Sequence, residues 1–189
     1  EALGFVLDTP AGKMVSLGDF RLEMGRDGKP KNLDPLRTVG ELGIHSLFVD
    51  STNADFAGFS LSEEKIVDNL EMLMKGARGR LIVVAFASLV DRVLEIVKIA
   101  DRLGRKIALG GRSMKINMEI AKNLGYMKDR KAQFVPLEEI NKHPDEKILM
   151  IMAGGQGEPN SGLTRITNGE HRIVRLKKND TVIFSSSVV

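Results

Sequence analysis

The sequence has 189 residues, of which 42% are hydrophobic, and a formal net charge of +3. This composition predicts a soluble protein with one buried core, because no apolar run approaches the ~20 residues of a membrane span. The chain contains no cysteine, which excludes disulfides and thiolate metal sites and fits a reducing cytoplasm, where we expect the protein to lie. A mildly basic chain tolerates polyanionic partners, but one tyrosine and no tryptophan argue against an aromatic stacking platform for single strands.

The first twenty residues read as a β-hairpin. Strand-like segments flank a turn at residues 10–12, in the stretch "ALGFVLDTPAGKMVSLGDF". An isolated two-stranded hairpin is marginally stable in water. We therefore expect these strands to belong to a larger sheet and the chain to be part of a longer protein.

After a polar connector at 25–32, strands alternate with amphipathic helices. The apolar pattern predicts strands at 45–50, 80–86, 106–110 and 147–153, and a further strand near the end of the chain. Helices are predicted from a capping box of Ser60 and Glu63, and at 88–104, 113–125 and 136–141. This alternation is typical of an α/β fold with a parallel β-sheet flanked by helices on both faces.

Unusual loops follow these strands, and ligands of such sheets bind beyond the carboxyl ends of the strands. Ser88 and Ser113 are predicted helix N-caps, where unpaired backbone N–H groups favour an anion, and Arg112 adds a guanidinium that suits a phosphate. Glycines would let the backbone approach that anion closely; they are Gly110, Gly111, Gly154, Gly155 and Gly157. Each loop alone also fits an ordinary cap or turn. No nucleotide-binding fingerprint is present, so no nucleotide cofactor is indicated.

Two carboxylates complete the candidate residues. Asp19 and Asp50 each follow a predicted strand, a position from which a side chain can bind a metal or orient a ligand. An Asx-turn or a helix cap is the alternative for both aspartates. The three histidines show no metal-ligand spacing. The residues alone therefore assemble no complete metal site.

Several motifs together resemble one family. They are "GDF", "VDSTNAD", "VVAFAS", "GRSM", "LGY", "GGQGEP", "SGLTRI", "NGEHR" and "DTVIFSSS", in this order along the whole chain. This set resembles the ribonuclease J family of the metallo-β-lactamase and β-CASP superfamily. The resemblance implies a β-CASP domain inserted into an αββα metallo-β-lactamase domain that carries two zinc ions. Residues 1–40 would then belong to the lactamase domain, and residues 41–189 would form the β-CASP domain and the start of the return to the lactamase domain.

The resemblance also implies roles for single residues. Asp19 matches a metal-bridging aspartate, and Asp50 matches the acidic residue of the first β-CASP motif, so both are implied catalytic residues. Gln156 and Glu158 would hold the loop "GGQGEP" together beside the RNA. The implied RNA-contacting and phosphate-contacting residues are Phe86, Ala87, Ser88, Gly111, Arg112, Ser113, Gly155 and Gln156.

For the intact protein, the resemblance implies zinc-dependent hydrolysis of RNA phosphodiester bonds, by 5′-to-3′ exonuclease action with some endonuclease action, in RNA processing and decay. It implies RNA as partner, no membrane, and leaves a homodimer or a homotetramer as options. The other metal ligands are expected before Glu1 and after Val189, so this segment alone is expected to be inactive. Two alternatives stay open: a non-catalytic α/β domain that binds RNA or a nucleotide or serves as an assembly surface, and a DNA-processing relative.

Overall fold

The fold is described from a computed structural model. The described residues are 3–25, 27–52, 54–58, 61–128, 131–153 and 161–185. The chain divides into two compact units, Glu1–Ile66 and Val67–Val189. The domain boundary expected at residue 40 concerns the domains of the family and stays a prediction.

The first unit contains the predicted hairpin. Strands β1 (Phe5–Thr9) and β2 (Gly12–Ser16) pair in antiparallel fashion. Gly12 has a φ of +127°, and a Cβ added there would lie 2.8 Å from the Cβ of His45. Glycine is therefore required both by the turn and by the close approach of a neighbouring strand.

That neighbouring strand corrects one expectation. After helix α1 (Asp34–Gly40), strand β3 (Ile44–Phe48) pairs in parallel with β2, and the order of this sheet is β1-β2-β3. The strand predicted at 45–50 therefore does not join the sheet of the later strands. β3 covers the open edge of the hairpin instead, and most of its residues are exposed, unlike those of a sheet covered on both faces.

The second unit is the predicted parallel sheet flanked by helices. Its order is β5-β6-β4-β7, and every neighbouring pair is parallel. The strands are β4 (Leu81–Val84), β5 (Lys106–Gly110), β6 (Ile148–Met152) and β7 (Thr181–Phe184). Its helices are α3 (Val90–Arg102), α4 (Arg112–Asn123) and α5 (Gly162–Thr167), with 3-10 helices at Leu137–Lys142 and Asp145–Lys147, and helix α2 (Glu63–Gly76) starts in the first unit and continues into the second.

Both faces of this sheet are covered. Every residue of β4 and β6 is fully buried, although successive side chains of a strand point to opposite faces. On one face, Ile82, Val84 and Met150 form a cluster with Leu163 and Ile166 of α5. The continuous apolar runs in the sequence are explained by this burial on both faces, which is what parallel sheets require.

Two buried arginines hold the amino-terminal end of the sheet. The guanidinium of Arg105 donates to the carbonyl oxygens of Gly79 at 2.8 Å, Ile148 at 3.1 Å and Ala77 at 2.8 Å. Burial lowers the pKa of Arg105, and the charge of Glu146 opposes this effect. Arg80 is the second, and it forms an ion pair with Asp180. Within the described ranges, no helix combines the length and the apolar content needed to cross a lipid bilayer.

Candidate functional site

The strand register brings the carboxyl ends of the parallel strands together. Met152 is the register partner of both Gly110 and Val84, and Val84 is the partner of Phe184. The ladder continues one step further, because Ala85 N donates to Met152 O at 3.0 Å. All four strands therefore end at one edge of the sheet, the strand-end edge.

The first segment of the strand-end edge is Phe86–Ser88, and it corrects a predicted cap. The backbone forms a turn, in which Leu89 N donates to Phe86 O at 3.1 Å and Val90 N donates to Ser88 O at 2.9 Å. Leu89 takes the N-cap position of α3, without a side-chain hydrogen bond. Ser88 is therefore not the cap that the sequence predicted. Its side chain is exposed, whereas Phe86 and Ala87 are half-buried.

The second segment is Gly111–Ser113, where the other predicted cap is also wrong. Gly111 takes the N-cap position of α4 with a φ of 94°, a conformation that favours glycine. The helix therefore begins at Arg112, and Ser113 is its second residue. All three residues are exposed. The N–H groups of a first helical turn have no partner within the helix. The first turn of α4 therefore combines hydrogen-bond donors with the positive charge of Arg112.

A hydrogen bond that the sequence analysis missed joins the first segment to the helix that follows the second. Asn117 of α4 donates from Nδ2 to the carbonyl oxygen of Ala87 at 2.7 Å. Asparagine is a poor residue for a helix interior, and this is the one sequence signal that could have drawn attention to position 117. The structure thus joins segment 86–88 to helix α4, which begins at Arg112.

A buried arginine links the strand-end edge to β7. Arg92 Nη1 donates to the hydroxyl oxygen of Ser185 at 3.1 Å and approaches its carbonyl oxygen at 3.4 Å. Arg92 and Ser185 are both buried. Sequence reasoning also missed this contact, because nothing local indicates that the first turn of α3 reaches the end of β7.

Asp19 and Asp50 both lie in the first unit. Their strands β2 and β3 are parallel neighbours that end in register at Ser16 and Phe48, and Leu17 N donates to Phe48 O at 3.1 Å. Both aspartates therefore follow the same edge of the three-stranded sheet, and both are exposed. This sheet is not the parallel sheet of the second unit, where the segment at 50–55 was expected.

The carboxylate of Asp50 forms the Asx-turn that the sequence analysis left open. Its Oδ1 accepts from the hydroxyl of Thr52 at 2.6 Å and from the N–H of Thr52 at 3.0 Å. Both hydrogen bonds hold the pKa of Asp50 below its ordinary value, and the bond from the Thr52 hydroxyl has the larger effect. Asp50 is therefore kept ionised and oriented by its own turn.

Asp19 is the residue that the resemblance implies as a metal ligand. A carboxylate oxygen is a ligand that zinc accepts, so Asp19 is compatible with the role that the resemblance implies. In the part of the chain that the structure describes, no three side chains of His, Cys, Asp and Glu group closely enough to hold a metal ion. The metal-binding role of Asp19 therefore stays a prediction.

The remaining predicted site residues lie outside the described residues. Gly155 and Gln156 belong to this group, together with Gly154, Gly157 and Glu158 of the same loop. The predicted capping residue Ser60 does so too. Helix α2 begins at Glu63, where the hydroxyl of Ser62 accepts from Lys65 N at 3.3 Å.

The fold and the strand-end edge define a parallel α/β domain of the kind that binds ligands beyond the ends of its strands. Residues 78–189 match the family model described as "Ribonuclease J, beta-CASP domain". Since this match covers more than half of the sequence, the chain belongs to the ribonuclease J β-CASP family. The expected family is thereby confirmed.

Curated relatives agree with this assignment. The chain is 38% identical over 188 residues to "Ribonuclease J" of Mycolicibacterium smegmatis, which covers 99% of the chain and 34% of that protein. It is 36% identical over 189 residues to "Ribonuclease J" of Mycoplasma pneumoniae, covering 100% and 33%. With "Ribonuclease J" of Synechocystis sp. it is 39% identical over 184 residues, covering 97% and 29%. The chain thus spans about a third of the length of these relatives.

Proposed function

We propose that the whole protein is a zinc-dependent ribonuclease that hydrolyses RNA phosphodiester bonds, by 5′-to-3′ exonuclease action with endonuclease action, in RNA processing and decay. The observation that carries this proposal is the match of residues 78–189 to the ribonuclease J β-CASP domain. Relatives named "Ribonuclease J" along the full chain support it. A cytoplasmic location and a homodimer or homotetramer belong to the same proposal.

The strand-end edge is proposed to bind the RNA backbone. Arg112 is exposed at the first turn of α4, and its planar guanidinium can donate two parallel hydrogen bonds to one phosphate. Ser88 and Ser113 present exposed hydroxyls nearby in the same two segments, and the N–H groups of the first helical turn favour negative charge. Binding through phosphates is independent of sequence, as a nuclease that degrades many RNAs requires.

The two aspartates are proposed to act at the zinc pair. Asp19 would hold the metal through its carboxylate, and Asp50, kept ionised by Thr52, would orient a metal-bound group. When bound, the two ions would supply an activated water and charge stabilisation at the scissile phosphate. Because Asp19 is the single ligand that we assign to this chain, the 189-residue segment by itself is proposed to be inactive.

Substitution of each aspartate in the whole protein tests this assignment. Asp19→Asn should lose metal and nearly all RNA hydrolysis, because an amide cannot supply the anionic oxygens that two cations share. Asp50→Asn should keep most of the metal while activity falls by roughly 10- to 100-fold, as is typical of residues that hydrogen-bond to a metal ligand and orient it. Zinc content and the turnover of a 5′-phosphorylated RNA would be measured on both variants.

Two results would count against the proposal. Full zinc occupancy in Asp19→Asn would remove that residue from the metal site. A wild-type whole protein that is loaded with zinc and leaves RNA uncut would remove the ribonuclease function itself. Asp8→Asn is the matched control, because this exposed carboxylate on β1 forms its ion pair with Lys13, on the hairpin itself, and should change neither quantity.

A further inference from the structure

We infer that Asn117 is a positioning residue, whose side-chain amide holds segment 86–88 against α4 so that the two RNA-binding segments act as one surface. This inference deepens the proposed function and rests on it. It begins from the 2.7 Å hydrogen bond between Asn117 Nδ2 and the carbonyl oxygen of Ala87. Thirty residues separate the two partners along the chain.

The amide is itself held in place by the core. Asn117 lies between Met114 and Met118, which are 0% and 4% exposed and anchor α4 in the core. Asn117 is half-buried, so its side chain lies at the border of the core and the strand-end edge. An amide anchored in this way can fix a loop carbonyl, because its own helix does not move with the loop.

The loop that receives this bond needs a fixing contact. Segment 86–88 leaves β4 and turns into α3 through two backbone hydrogen bonds, Leu89 N to Phe86 O and Val90 N to Ser88 O. α3 begins without a side-chain cap. The bond from Asn117 adds a contact from a different element, and it ties the segment that carries Ser88 to the helix that begins at Arg112.

The consequence for RNA binding is geometric. A phosphate backbone that contacts both Ser88 and Arg112 requires these residues at a constant separation. Loss of the Asn117 bond would leave every phosphate-binding group present but would let the two segments move independently. Part of the binding free energy would then be spent on ordering the loop.

The test uses Asn117→Leu in the whole protein, since leucine keeps the approximate shape of asparagine and removes the donor. Because loop positioning serves the substrate and the transition state alike, we expect KM for RNA to rise by about three- to tenfold with kcat nearly unchanged, the factor that corresponds to one neutral hydrogen bond. Asn123→Leu is the matched control, because Asn123 is exposed at the last position of the same helix. That control should leave KM unchanged.

The dependence of binding on salt separates positioning from charge. Asn117→Leu should weaken RNA binding equally at low and high salt, because no phosphate contact is lost. Arg112→Ala should weaken binding and reduce the slope of log affinity against log salt by about one unit, since one phosphate contact releases about one counterion. A reduced slope in Asn117→Leu would mean that a charged contact to phosphate is lost together with the amide, and it would overturn the inference.

Hydrogen exchange supplies a readout that needs no RNA. The amides of Leu89 and Val90 should exchange faster in Asn117→Leu than in the wild type or in Asn123→Leu. If their exchange is unchanged, the positioning role is refuted, whatever happens to KM. If their exchange rises but wild-type protein does not cleave RNA, the positioning role stands and the proposed function fails.

Discussion

At the scale of single residues, Arg80 and Asp180 form the most buried ion pair among the described residues. Arg80 donates from Nε to one carboxylate oxygen of Asp180 at 2.9 Å and from Nη2 to the other at 2.5 Å. The two side chains are 1% and 4% exposed. Asp180 also accepts from Lys177 N at 2.9 Å. Two charges are thus neutralised in the interior by one another and by the backbone.

Removal of Asp180 should therefore be costly. Asp180→Ala leaves a buried guanidinium without its counter-charge, and we expect the free energy of unfolding to fall by about 3–5 kcal/mol. Asp145→Ala is the control, because its pair with Lys177 leaves both side chains more than 40% exposed and should be worth below about 1 kcal/mol. Urea unfolding of both variants measures the difference, and equal losses would contradict this account.

Single residues also mark where sequence reasoning succeeded and failed. Arg112 was singled out by its residue type after a strand, and the structure places it exposed at the start of a helix. Asn117 and Arg92 were missed, because each acts through a bond to a residue about 30 or more positions away. Local sequence indicates which side chains can form hydrogen bonds, but it does not indicate which distant atoms the fold places within reach of them.

At the scale of elements, the apolar period predicted the longer helices but misplaced their first residues, and it missed the short helices α1 and α5. α3, α4 and the 3-10 helix at Leu137–Lys142 lie where the pattern placed them. The starts were misjudged because serine is the usual cap, whereas this chain uses a left-handed glycine at 111 and a backbone turn at 86–89. Backbone conformation decided these positions, and side-chain preference alone does not report it.

The strands should differ in protection from hydrogen exchange. Every residue of β4 and β6 is fully buried at the centre of the parallel sheet, whereas β1 is an edge strand with four of its five residues exposed. Amides in β4 and β6 should open only with global unfolding, and those of β1 should exchange through local opening. Exchange measured by NMR on the 189-residue chain would show this, and equal protection of β1 and β6 would refute it.

At the scale of the whole molecule, the sequence predicted the architecture but misplaced one strand. The apolar runs after residue 80 correctly indicated a buried parallel sheet, because only burial on both faces explains them. The strand predicted at 45–50 was expected in the same sheet, because strands and helices alternate from that point of the sequence onwards. Its pairing with β2 depends on a hairpin edge far away in sequence, and a periodic pattern carries no information about partners.

The side chain of Met152 fills the space beside two glycines, Gly110 and Gly162. A Cβ added to Gly110 would lie 2.0 Å from Met152 Sδ, and one added to Gly162 would lie 2.9 Å from Met152 Cε. A larger residue at 110 or 162 therefore requires the Met152 side chain to move or to be shortened, which couples the three positions. Gly110→Ala and Met152→Ala should each destabilise the protein, by about 1–3 and 2–5 kcal/mol, and the double variant should lose less than their sum. Strict additivity in that double-mutant cycle would show that the Met152 side chain moves aside without cost, and residues 110 and 152 could then be substituted independently of each other.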